Sequence, residues 1–170
     1  MTRVRRVVGF GCYEFVASVA IGRPATEVYA FLADVQDAKP LPRRPRVWMV
    51  KEPDGPTGAG TRWHERVGVL PGVWMRVESV VTEADEPIRL GMDFRSPWFA
   101  GHTVYELTPT FGGCVLRHRE GIRPIPPLAV LCAVLGRSRR RHVEERLADI
   151  KAVLEGEGSR GSMKWSRGHE

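Results

Sequence analysis

Residues 127 to 147 read Pro-Leu-Ala-Val-Leu-Cys-Ala-Val-Leu-Gly-Arg-Ser-Arg-Arg-Arg-His-Val-Glu-Glu-Arg-Leu. Eight apolar residues, Leu128 to Leu135, run directly into Gly136 and an arginine cluster. Such a stretch suits a membrane anchor with a basic collar, a nucleic-acid-binding helix, or a long helix that shelters an apolar chamber with half its length. The anchor fails, because eight residues fall far below the roughly 18 needed to cross a bilayer. At about 100° per residue, Leu128, Leu131, Cys132, Leu135, Val143, Leu147, Ile150 and Leu154 share one broad stripe. Arg137, Arg140 and Arg141 point elsewhere and read as a solvated face. Arg139 lies four residues after Leu135 and four before Val143, on the stripe itself. An arginine there must snorkel to the rim or meet an acid or an anionic ligand. Val130 and Val134 sit opposite, so the front half of the helix is expected to touch a loop or a second subunit of a homodimer with its back.

The rest of the chain bounds what this helix can belong to. With 170 residues, 42% hydrophobic and 27% charged, it holds enough apolar material for one core. A formal charge of +6 permits an anionic partner without demanding one, since excess charge also serves solubility. Cys12, Cys114 and Cys132 show no metal-ligand or redox spacing, which points to reduced thiols and a cytoplasmic setting. The start Met-Thr-Arg-Val-Arg-Arg-Val-Val-Gly-Phe-Gly is basic, but its apolar run is too short and glycine-broken for a signal peptide. A composition rich in arginine, alanine, glycine and valine fits a high-GC bacterial source.

Upstream of the helix, residues 12 to 21 alternate cleanly, with Tyr13, Phe15, Ala17, Val19 and Ile21 on one side: a half-buried strand. Pro24-Ala25-Thr26-Glu27-Val28 then suits a first helical turn, with Glu27 complementing the dipole. Prolines 40, 42 and 45 keep any second helix brief. Short strands follow at 47–52, 61–69, 73–83, 88–95, 101–108 and 113–122. Pro53-Asp54-Gly55, Pro71-Gly72, Glu86-Pro87, Ser96-Pro97 and Gly112-Gly113 separate them as turns, which makes an antiparallel meander. The expected organisation is an N-terminal arm over 1–11, one domain over 12–155, and a disordered basic tail over 156–170.

Several segments match a known family in detail. Ile21-Gly22-Arg23-Pro24-Ala25-Thr26-Glu27-Val28-Tyr29-Ala30-Phe31-Leu32-Ala33-Asp34 resembles the opening of the START-like superfamily, which includes polyketide cyclases and birch-pollen-allergen-like proteins: a strand, Pro-Ala-x-x-Val, a helix, Leu-x-Asp. Gly58-Ala59-Gly60-Thr61-Arg62-Trp63, Val81-Thr82-Glu83-Ala84-Asp85-Glu86-Pro87 and Tyr105-Glu106-Leu107-Thr108-Pro109 extend the likeness. Cys114 departs from the family's usual Gly-Gly-Thr. The resemblance spans about Tyr13 to Leu154 and implies an α+β helix-grip fold. That fold wraps a curved antiparallel sheet of about seven strands around the C-terminal helix, with two short helices after the first strand. The cavity between sheet and helix is commonly an apolar ligand pocket.

Strand alternation then sorts the side chains that would face such a chamber. Leu90, Met92 and Phe94 share one face, as do Met75, Val77 and Val81 before them and Thr103, Tyr105 and Leu107 after. In the last strand Leu116 must share its face with His118 and Glu120, and near the start of the meander Trp63, Glu65, Val67 and Val69 form the more apolar set. The expected ligand-binding lining is Trp63, Met75, Met92, Phe94, Tyr105, Leu107, Leu116, Leu131 and Leu135, with Glu65, His118, Glu120 and Arg139 as its polar minority. A bulge would invert every assignment downstream of it. His118 beside carboxylates suits acid/base work, although His118 and Glu120 could equally sit at the open end and pair with each other or with Arg139.

Other signals carry less. Gly55-Pro56-Thr57-Gly58-Ala59-Gly60-Thr61 lacks the Gly-Lys-Ser/Thr ending of a phosphate loop and leads into a strand. His64-Glu65 starts like a zinc helix, but Gly68 holds the position of the second histidine. No cofactor and no metal are expected, and basic residues spread over loops and outer faces do not form a nucleic-acid groove. The leading expectation is a module that binds a hydrophobic, polyketide-like, aromatic or lipid-like small molecule, without stable membrane insertion. Its alternatives are an aromatase/cyclase or dehydratase and an interaction domain with a filled core. In the enzyme, His118 or Glu65 would abstract an α-proton while Tyr105 or Arg139 stabilises the enolate oxygen.

Overall fold

A computed structural model describes residues 7–9, 12–34, 47–70, 73–124 and 129–156. Alternation over residues 12 to 21 builds β2 (Cys12–Ile21), preceded by a three-residue β1 (Val7–Gly9). Part of the stretch read as an N-terminal arm thus pairs as a strand, and among the described residues the sheet has eight strands where about seven were expected. Next come α1 (Ala25–Asp34), β3 (Val47–Glu52), β4 (Arg62–Leu70), β5 (Val73–Asp85), β6 (Arg89–Arg95), β7 (Phe99–Thr110), β8 (Gly113–Pro124) and α2 (Ala129–Leu154). The expected second short helix falls in residues 35–46, outside the described residues. No helix among the described residues is long and apolar enough to cross a membrane.

The strands form one antiparallel sheet in the order β1-β2-β8-β7-β6-β5-β4-β3. From β3 to β8 each strand lies beside its sequence neighbour, and the last closes against β2 with Tyr13 opposite Ile122 and Ile21 opposite Cys114. Gly112, at φ 87°, makes the turn between β7 and β8, where an L side chain would be strained. Gly101 and Gly121 mark a close approach within the sheet. A Cβ on Gly101 would collide with the Gly121 carbonyl oxygen, and one on Gly121 would collide with the His102 ring.

One face of the sheet and the stripe of α2 form the core. Phe15, Ala17, Ile21, Trp63, Val81, Leu90, Met92, Tyr105, Leu107 and Leu116 are buried with Val143, Leu147 and Ile150, and α1 adds Val28, Tyr29 and Leu32. This is the helix-grip α+β fold, with the long helix held inside the sheet. The C-terminal end of α2 is tied to the end of β2. The Gly22 N–H donates to Glu155 Oε1 at 2.7 Å, Arg23 Nε donates to the Leu154 carbonyl at 2.9 Å, and Lys151 Nζ donates to the Ala20 carbonyl at 2.7 Å. Glu155 is thereby held below the usual carboxylate range, chiefly by the Gly22 N–H and then by Lys151.

Much of the arginine excess is used on the outer face. Arg89 bridges Glu83 and Glu106 at 2.7 and 2.9 Å, Arg117 reaches Glu106 at 3.4 Å, and Arg119 lies 3.5 Å from Glu14. On α2, Arg141 is exposed and pairs with Glu145 one turn on at 2.8 Å. Cross-strand pairs of this exposed kind fix register more than they stabilise.

Candidate functional site

The register aligns the inner face into rows that run across the strands. One row is Val81, Met92, Thr103, Glu120 and Phe15; the next is Ala84, Leu90, Tyr105, His118 and Ala17. Between Val81 and Glu83 the pairing shifts by one residue, so Ala84 rather than Glu83 stands beside Leu90. The bulge reverses the inward parity of β5 beyond Val81, which plain alternation does not reveal. A further row runs Trp63, Ser79, Phe94, Gly101 and Ile122, where the small Ser79 separates two aromatic side chains.

Within these rows a polar line crosses an otherwise apolar interior. His118 and Glu120 are wholly buried rather than at an open rim, with Nε2 3.6 Å from Oε2. The His118 ring lies 4.8 Å from the ring of Tyr105, itself 1% exposed. Arg146 of α2 also meets the Tyr105 ring, its guanidinium carbon 5.7 Å from the centroid. Arg146, Tyr105, His118 and Glu120 therefore form one continuous series: a cation on an aromatic face, then an imidazole, then a carboxylate. Trp63 is 0% exposed, and its Nε1, like Arg146 Nε, is buried without a hydrogen-bond partner among the described residues.

Trp63, Met92, Tyr105, Leu107, Leu116, His118 and Glu120 are buried on the inner face, while Met75, Phe94 and Glu65 are half-buried. Phe94 meets Phe99 edge to face at 6.0 Å between centroids. Glu65 opposes Val77 on β5, one step beyond Trp63, and three strands separate it from His118. Leu131, Leu135 and Arg139 lie on α2, but their side chains, like those of Val67, Val69, Val130 and Val134, fall outside the described residues. Cys114 is buried, and burial pushes its thiol up, so it is a poor nucleophile. Trp74 and Trp98 are exposed.

Arg146 is the residue that the sequence-based lining omits. Its signal was present: it follows Val143 by three residues and precedes Ile150 by four, the same test that selects Arg139. A dense run of arginines draws attention to residues 137–141, and Arg146 stands apart from it.

A recess of about 1110 Å³ also crosses the sheet from β2 to β4, lined mainly by residues of the outer face and also by Ser79, Phe94, Gly101 and Ile122 of the third row. Charged side chains line it, among them Arg62, Arg95, Arg123, Glu14, Glu78 and Asp93. Its walls are solvated and partly self-neutralised, which suits an enclosed apolar ligand poorly. The buried polar line faces the other way, toward α2.

Comparison with known proteins fits this architecture. The family model for polyketide cyclase / dehydrase and lipid transport matches residues 13–155. Among solved structures, the chain is similar to the di-domain ARO/CYC StfQ from the steffimycin biosynthetic pathway, at 17% identity and a TM-score of 0.67. That match covers 87% of this chain and 52% of StfQ. It is similar to TTHA0849 from Thermus thermophilus at 22% identity and a TM-score of 0.62, over 88% of this chain and 99% of the other. It also resembles Ara h 8.0201, at 14% identity and a TM-score of 0.58, over 86% and 99% of the two chains. No curated protein matches.

Proposed function

Because the chain belongs to the polyketide cyclase / dehydrase and lipid transport family, we propose that it binds a hydrophobic small molecule of polyketide, aromatic or lipid type between the inner sheet face and α2. The observation that carries this is the line from half-buried Arg146 through the buried Tyr105 and His118 to Glu120, set among apolar side chains. A few convergent polar groups in an apolar interior are the usual make-up of a small-molecule site, where apolar walls supply affinity and polar groups fix orientation. Buried ionisable groups are also costly to retain for packing alone, since apolar residues of similar volume stabilise as well or better. The family's description, polyketide cyclase / dehydrase and lipid transport, supports a polyketide-like or lipid-like ligand. Phe94→Asp puts a charge on the proposed lining at a half-buried position. It is expected to weaken binding of an apolar aromatic ligand while the domain stays folded; unchanged affinity in a folded variant counts against this lining.

A second reading makes the same chamber catalytic, and the contiguity of His118, Tyr105 and Glu120 favours it. In an aromatase/cyclase or dehydratase, His118 would take the acidic α-proton of a β-ketone, with Glu120 balancing the imidazolium that forms. Tyr105 would hydrogen-bond the enolate oxygen left behind. Glu65, three strands away, suits the base role less well than His118, and Arg146 joins Arg139 as a candidate cation for the enolate. His118→Ala tests this reading: with a turned-over substrate in hand, near wild-type kcat in the variant removes His118 from the acid/base role.

A further inference from the structure

Resting on the chamber reading, we propose that Arg146 makes the site selective for an apolar ligand that carries an oxyanion, such as a carboxylate, a phenolate or an enolate. Two observations carry this independently. Half-buried Arg146 stands on the apolar stripe of α2 with its guanidinium carbon 5.7 Å from the Tyr105 ring centroid, and its Nε is buried without a hydrogen-bond partner among the described residues. Trp63, fully buried on a different row of the same inner face, also has an indole Nε1 without a partner among the described residues. Both groups are donors and neither accepts. A pure hydrocarbon would leave both unmet, whereas a ligand bearing oxygen acceptors satisfies them. The charge of the half-buried guanidinium makes an anionic oxygen the preferred partner at that end, since hydrogen bonds between ionised groups are the stronger ones. Trp63 is neutral, so at its end a carbonyl or hydroxyl oxygen suffices.

Two dyes with one ring system separate charge recognition from apolar burial: 8-anilino-1-naphthalenesulfonate, an anion, and N-phenyl-1-naphthylamine, which is neutral. Fluorescence titration of the wild type and of Arg146→Met, with near-UV circular dichroism confirming the fold, is expected to show the variant losing sulfonate affinity by about ten-fold or more. Affinity for the neutral dye should be unchanged, and Arg146→Lys should recover part of the loss. Arg123→Gln, in the outer recess, should leave both dyes unaffected. Equal effects of Arg146→Met on the two dyes, or no effect on either, would overturn the proposal while leaving the chamber in place. A wild type that binds neither dye would overturn the chamber reading and this inference with it. Should Arg146→Met not fold, the wild type alone decides: dodecanoate should displace the neutral dye about ten-fold more effectively than 1-dodecanol, and equal displacement contradicts the proposal.

Discussion

Removing the imidazole of His118 tests whether the buried polar line is one energetic unit. In His118→Leu the Glu120 carboxylate stays in an interior where its side chain is 3% exposed, without the ring nitrogen 3.6 Å away. Breaking a buried pair from one side costs about 3–5 kcal/mol, against a total stability of about 5–15 kcal/mol for a single domain. At roughly 2–4 °C per kcal/mol for a chain of this size, the melting temperature should fall by roughly 6–20 °C. Glu120→Leu should also destabilise, whereas the double variant His118→Leu, Glu120→Leu removes both polar groups and should recover most of the loss. Urea unfolding of all four proteins at pH 7, followed by tryptophan fluorescence, gives the coupling energy directly, provided that the m-values agree. If the double variant loses the sum of the two single losses, His118 and Glu120 do not act as a pair. A double variant as stable as the wild type but unable to bind ligand would mean that the pair is kept for function rather than for folding.

Three further outcomes follow from the same geometry. Leu116→Ala, at a position 0% exposed beside His118 on β8, should cost about 2–5 kcal/mol in urea unfolding; a loss within error would mean that the inner face is not packed as described. The Glu155 carboxylate is held below its ordinary range by the Gly22 N–H and Lys151, so its contribution is present at neutral pH and lost as pH falls through the folded value. Glu155→Gln should therefore lower the melting temperature at pH 7, with the gap closing as pH drops below about 4, and a gap constant with pH would refute the link between α2 and the end of β2. Cys114, buried with its thiol pushed up, should be alkylated by iodoacetamide at pH 8 far more slowly in the native protein than in urea. Equal rates by peptide mapping would show that this part of the core opens readily.

The strand pattern was legible because each break carries its own local chemistry: Pro53-Asp54-Gly55, Glu86-Pro87 and Gly112-Gly113 need no tertiary partner to end a strand. Alternation also located Tyr105, His118 and Glu120 on the buried face, since Arg117 and Arg119 leave β8 no other way to turn. What local pattern could not supply was set by distant parts of the chain. The bulge at Thr82 moves Ala84 to the inner face, and nothing within β5 announces it. Val7–Gly9 became a strand because β2 offers a free edge. Arg146 met Tyr105 because helix rotation and sheet register together fix that contact, and neither is written in either element alone. The 3.6 Å approach of His118 to Glu120 is likewise the product of side-chain conformations on an assembled sheet.

Native mass spectrometry of the protein purified from its own source, compared with its mass under denaturing conditions, tests the binding chamber most directly. An occupied chamber gives a native species heavier than the chain by one defined small-molecule mass, lost on denaturation and absent from Phe94→Asp. The bare chain mass under both conditions, with no saturable binding when apolar aromatic and lipid-like compounds are added, would contradict it.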